Sequence, residues 1–140
     1  MYNLKIMDIF ANPKNTGIVR NADGVGECKN TESGEIIKFY VKVEEGKITT
    51  CKYKAFGNAL LIATGSIVTE MLLNKTLEEV DKVSAVEILR QLDKIPENKE
   101  YCAVMCEVAI KNLLIDYQKR QEKLARQLEK EQELLKNKNN

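Results

Sequence analysis

Four cysteines, at positions 28, 51, 102 and 106, carry most of the chemical potential of this chain. Two stand where a thiolate could be presented. Cys28 lies in the glycine-punctuated stretch Gly24-Val-Gly-Glu-Cys28-Lys-Asn30, which reads as a flexible polar loop. Cys102 follows Pro96-Glu-Asn-Lys-Glu-Tyr101, which reads as the approach to a helix N-terminus. At such a terminus the backbone amides and the macrodipole lower a thiol's pKa and favour the metal-binding, nucleophilic form. Cys106 is one turn beyond Cys102, so the two thiols could chelate one ion. It also belongs to an apolar stripe with Met105, Ala109, Ile110 and Leu113, where a thiol is an ordinary core residue. Both readings of Cys106 stay open. Cys51, seven residues before Asn58 on an extended stretch and so about 20 Å from it, reads as a sheet or core residue.

The totals remove other chemistries. With no histidine, Ser–His and Cys–His nucleophile pairs, His-ligated zinc and imidazole proton shuttles are excluded. Gly24-Val-Gly26 lacks the downstream Lys-Ser/Thr of a phosphate loop and the third glycine of a dinucleotide fingerprint. The pairs Glu44-Glu45 and Glu78-Glu79 fall at a turn and a helix start, where solvation or capping explains them. A net charge of +1 over 140 residues gives no reason to expect a nucleic acid or an acidic membrane as partner. No apolar run approaches the ~20 residues of a membrane span, and the N-terminus lacks the apolar block of a signal peptide. A cytoplasmic protein with reduced thiols is expected.

The elements that must position the cysteines follow from pattern. A helix is expected from about residue 4 to 11, ended by Asn12-Pro13. A loop with a short strand around Gly17–Asn21 should come next. Ile37, Phe39, Val41 and Val43 alternate with Lys38, Tyr40 and Lys42, a half-buried strand. Glu44-Glu-Gly-Lys47 turns it into a second strand over Ile48–Phe56. From Ala59 to Leu73 nearly every residue is apolar or small, predicting a buried helix that Asn58 could cap. Thr76-Leu-Glu-Glu79 has the spacing of a capping box, and another short helix should span Ser84–Leu92. A long helix should begin near residue 99 and run to about Leu135, through a basic, glycine-free and proline-free C-terminal extension. In that extension Leu124, Leu128 and Leu135 form a thin stripe, suiting either a solvated helix or a short intermolecular coiled coil. The fold class expected is α+β: a three-stranded antiparallel meander packed against helices, with a domain over 1–117 and a helical extension over 118–140.

Taken in order, several of these segments resemble the NifU/IscU-type iron–sulfur cluster assembly scaffold family. They are Phe10-Ala-Asn-Pro-Lys-Asn-Thr-Gly17, the Cys28 segment, Tyr53-Lys-Ala-Phe-Gly-Asn58 with the helix after it, Ile67-Val-Thr-Glu70, the Cys102 segment and Ala109-Ile-Lys111 before Asp116-Tyr117. The resemblance implies a non-enzymatic scaffold that holds a transient iron–sulfur cluster on cysteine thiolates. It implies a cysteine desulfurase as sulfur donor and apo-proteins as acceptors. The family presents three cysteines, an Asp after the first and often a His before the last. Carried across, Cys28 matches the first cysteine and Cys102 the third, while Asn58, Asn30 and Tyr101 occupy the places of the second cysteine, the Asp and the residue before the last cysteine. Cys28 and Cys102 are then the expected cluster ligands, with Cys106 as a further metal ligand. A cluster bridged across a homodimer by Cys28 and Cys102 of each subunit would restore four ligands. Ile95-Pro-Glu-Asn-Lys99 keeps one proline of the family's chaperone-recognition stretch. Two alternatives stand beside the scaffold: a divergent, non-assembling protein-binding module, and a zinc site built from Cys28, Cys102 and Cys106.

Overall fold

The computed structural model describes residues 2–139. Helix α1 (Leu4–Ala11) is followed by strands β1 (Gly24–Lys29), β2 (Ile36–Glu44) and β3 (Lys47–Phe56). Helices α2 (Ala59–Leu72), α3 (Leu77–Asp81) and α4 (Ala85–Leu92) come next, then a 3-10 turn over Glu97–Lys99 and the long α5 (Tyr101–Lys138). The strands form one antiparallel sheet in the order β1-β2-β3, so the α+β meander expected from the alternation is what forms.

Each element starts and stops for a local reason. Asn3 caps α1 by accepting from the Ile6 N–H, and Asn12 ends it. Glu45 and Gly46 both take positive φ, as a tight two-residue hairpin connecting right-twisted strands requires. Thr76 and Glu79 complete the capping box of α3 reciprocally. Within β2, Ile37, Phe39 and Val41 are buried on one face, while Lys38, Tyr40 and Lys42 lie on the other. Ile48, Cys51 and Tyr53 of β3 join the buried face. Cys51 pairs with Val41 and is core, as expected.

One expectation is corrected. The first strand is not around Gly17–Asn21 but at Gly24–Lys29, so Cys28 lies in a strand opposite Ile37 rather than in a loop. Where the earlier segment begins, residues 15–17 touch β3 on the far edge: Thr16 makes a parallel bridge to Tyr53 and the Gly17 N–H donates to the Tyr53 carbonyl.

The glycines of β1 explain the shift. Side chains at 24, 26 and 28 share a face in a strand. A Cβ on Gly24 would lie 3.2 Å from the Tyr117 Cβ and 3.3 Å from the Leu113 carbonyl oxygen. A Cβ on Gly26 would overlap the Ala109 carbonyl and the Leu113 backbone nitrogen outright. The two glycines form a flat track on which the α5 backbone sits directly, which is why Gly24-Val-Gly26 exists. Moving along β1 from residue 24 to 26 moves the contact on α5 back by about one turn, and the next step, to Cys28, leads toward Cys106.

Among the described residues, no helix is long and apolar enough to cross a membrane. Helix α5 passes through residue 117 without a break and extends to Lys138, a little past its expected end.

Candidate functional site

Three element ends meet at one corner of the sheet: the β1–β2 connection, the N-terminus of α2 and the N-terminus of α5. Asn58 stands at the α2 end. Its Oδ1 accepts from the Leu61 N–H at 3.0 Å, the N-cap role expected of it. Its Nδ2 is left to point outward into the corner.

What it points at was not foreseen. The β1–β2 connection is shaped by Asn30, whose Oδ1 accepts from the Glu32 N–H at 3.1 Å and the Ser33 N–H at 3.4 Å, and by Gly34 at φ 78°. That turn delivers Glu35, only 8% exposed. Glu35 Oε2 accepts from Asn58 Nδ2 at 2.6 Å and from the Asn58 N–H at 3.2 Å. Its Oε1 accepts from the Tyr101 hydroxyl at 2.6 Å, and that hydroxyl accepts from Asn58 Nδ2 at 2.9 Å. Gly57 is glycine because a Cβ there would lie 2.6 Å from Glu35 Oε2. The carboxylate at this corner is therefore Glu35. Asn30, matched to the family's Asp, shapes the turn.

Cys102 completes the group, with Sγ 3.9 Å from both Oδ1 and Nδ2 of Asn58. Its side chain is wholly buried. Burial pushes its thiol up to about 11; the Asn58 contact pulls down and the Glu35 charge adds to the rise. The lowering expected at a helix N-terminus does not prevail, because desolvation of a thiolate outweighs a macrodipole whose effect is worth about 1 kcal/mol. Glu35 goes the other way. Burial alone would raise it, but hydrogen bonds from Tyr101, the Asn58 N–H and Ser33, with the Lys99 charge, hold its carboxyl below the usual range. The result is a fixed carboxylate beside a neutral thiol.

Cys28 takes no part in the Glu35–Asn58–Tyr101 triangle. It is half-buried on β1, and burial, then the neighbouring Glu27 charge, raise its pKa. Cys106, in the second turn of α5, is fully buried. Burial raises its pKa most, and both Cys102 and Cys28 are close enough to raise it further. Of the sequence-expected sulfurs at 28, 102 and 106, Cys102 alone touches the polar corner. Among the described residues, no three Cys, Asp or Glu side chains gather in a geometry that would hold a metal ion.

Sequence reading missed Glu35. Its one local signal is a lone acid between the Ser33-Gly34 turn and the apolar run of β2. Its partners lie 23 and 66 residues away, and no spacing rule reaches that far.

Residues 1–124 match the family of NifU-like N terminal domains. An iron–sulfur cluster assembly scaffold protein IscU of Archaeoglobus fulgidus is 37% identical over 117 residues, covering 84% of this chain and 76% of its own length. The Escherichia coli protein of the same description is 33% identical over 125 residues, 86% of this chain and 97% of its own. A crystal structure of a candidate SUF-system scaffold protein from Fervidobacterium islandicum superposes with a TM-score of 0.64 at 23% identity, over 83% of this chain and 96% of that one; that likeness speaks for the fold. Matched over most of its length, with its α5 on the glycine track of β1 and its Asn58–Glu35–Tyr101–Cys102 corner, this chain belongs to the NifU-like N-terminal domain family.

Proposed function

We propose that this protein serves iron–sulfur cluster assembly as a scaffold or carrier rather than as an enzyme. The cluster is its cargo, held at the corner where α5 begins. The observation that carries the reading is Cys102 at the start of α5 beside the Asn58–Glu35 pair, in a chain whose relatives at 33–37% identity are named cluster assembly scaffolds. Cys28 and Cys102 are the cluster ligands in this reading, with Cys106 beneath them as a further metal ligand. Soft iron–sulfide units require thiolates, and burial holds these thiols neutral. Loading therefore expels protons, and affinity rises with pH. Weak holding of this kind suits a cargo that is handed on. A cysteine desulfurase supplies the sulfur, apo-proteins accept the cluster, and the setting is the cytoplasm.

Anaerobic reconstitution with ferrous iron and sulfide tests this. Visible absorbance and native mass spectrometry should report a cluster, in greater yield at pH 9 than at pH 7, absent in Cys102→Ser and retained in Cys51→Ser. A chain that stays colourless at both pH values overturns the proposal.

One observation favours a second reading. Asn58 and Tyr101 fill two ligand positions with groups already saturated by Glu35, which fits a non-assembling member that keeps the fold to dock partners. Colourless protein that still retains a cysteine desulfurase in a pull-down, with Cys28→Ser and Cys102→Ser unchanged, would favour it. Zinc on Cys28, Cys102 and Cys106 is the remaining occupant, and stoichiometric zinc in protein as purified would identify it.

A further inference from the structure

The face of α5 that packs on β1 does not end where the sheet ends. From Ala109 and Leu113, both buried, it continues at three- and four-residue steps through Tyr117, Gln121, Leu124, Leu128, Glu131 and Leu135. That spacing keeps one face of a helix in line. Beyond Tyr117 the helix runs on to Lys138, an overhang of roughly 30 Å. There Leu124, Leu128 and Leu135 are 50%, 58% and 61% exposed.

The charges along this overhang are sorted. Gln118, Ala125 and Gln132 border the stripe on one side; Arg120, Gln127 and Leu134 border it on the other. Glu122, Arg126, Glu129, Lys130 and Glu133 take the outward face. A helix meant only for solvent has no use for such sorting. A helix that lays one face against another does, because charge beside the seam is costly.

We propose that a second copy of this chain covers the stripe, the two overhangs forming a short antiparallel coiled coil. One register satisfies every position. Leu124 of each copy faces Leu128 of the other, and Tyr117 faces Leu135. Gln121 faces Glu131, an amide donor against the only carboxylate in the seam. At the borders Ala125 meets Ala125, Gln127 meets Gln127, Gln118 meets Gln132 and Arg120 meets Leu134, so no like charges are opposed. A parallel pairing would set Glu131 against Glu131 inside the seam. A single polar layer of this kind fixes orientation and register at some cost in stability. At its base the overhang borders a groove of about 470 Å³, lined by the Asn21–Asp23 loop together with Gln121, Leu124 and Gln127. In the antiparallel register that groove seats the far end of the other copy's helix. This inference stands apart from cluster binding and does not depend on it.

Sedimentation equilibrium of the full chain across micromolar concentrations should give twice the 15.9 kDa chain mass. Leu128→Glu, at an exposed position that the body's fold does not need, should halve that mass with an unchanged circular dichroism spectrum. Arg126→Glu, on the outward face, should leave it dimeric. Orientation is read by mild oxidation with a low-molecular-weight disulfide. Ala125→Cys should cross-link beyond the wild-type level, whereas Gln118→Cys should not, because its two copies stand about 21 Å apart in the antiparallel register. A wild-type monomer at every concentration, or a Leu128→Glu dimer, overturns the proposal. Cross-linking at Gln118→Cys equal to that at Ala125→Cys overturns the register.

Discussion

The two halves of α5 share one helix and one face, yet they live in different media. From Ala109 to Tyr117 that face lies on bare backbone, because Gly24 and Gly26 present no side chain to the helix. From Gln118 to Lys138 the same face stands in water. The first half holds thiols that burial keeps protonated, and its position is dictated by contacts with no slack. The second holds exposed leucines at helical spacing that no described residue covers. The comparison shows that the sequence pattern of a helix states which face wants cover, while the element beneath it decides what the covered groups can do chemically.

The sharpest way to break the contrast is to fill the track. Gly26→Val should cost about 3 kcal/mol or more, because the clash is with the backbone of α5 and not with a movable side chain; urea denaturation of the variant reads it. Leu113→Ala, in the buried half, should cost about 2–5 kcal/mol by the same measurement. Tyr101→Phe removes a donor from Glu35 and an acceptor from Asn58, and should cost about 1–3 kcal/mol. The outward side of the exposed half gives the smallest effect: Arg126→Ala should stay within about 0.5 kcal/mol. A Leu113 effect no larger than that of Arg126 would erase the distinction between the halves.

Proton linkage sharpens the same picture. Glu35 is held below the usual carboxylate range in the fold. Its stabilisation is therefore present above that range and is lost as pH falls through its lowered pKa. Glu35→Gln should be less stable than the parent at neutral pH, with the difference closing below about pH 4. Cys102 has the opposite sign. Its pKa in the fold is raised to about 11, so its contribution is intact below the ordinary thiol range and is lost as pH climbs through that value. In iodoacetamide near neutral pH, mass spectrometry should find Cys28 alkylated first, with Cys51, Cys102 and Cys106 reacting only on unfolding. Fast alkylation of Cys102 in the folded chain would contradict its burial.

The match between sequence and structure divides by range. The Asn58 cap, the capping box Thr76–Glu79 and the hairpin at Glu45-Gly46 were all legible, since each rests on residues two to four apart. The strand carrying Cys28 was misplaced, because glycines that look like a loop signal are there for helix contact. Asn30 stands at the place of the family's Asp and shapes the turn, whereas the buried carboxylate of the corner, Glu35, is held by partners on α2 and α5 far away in sequence.

By itself, the sequence determined the antiparallel meander, the sites at which helices begin, the family and the stripe that continues along α5. These depend on periodicity, capping and residue type, all local. Tertiary structure alone decided that Cys102 is sealed and neutral, that Glu35 is charged and bound, and that Cys28 lies in a strand opposite Ile37. Protonation and ligand geometry depend on which distant groups share a desolvated space, and only the meeting of the β1–β2 connection with the starts of α2 and α5 creates that space.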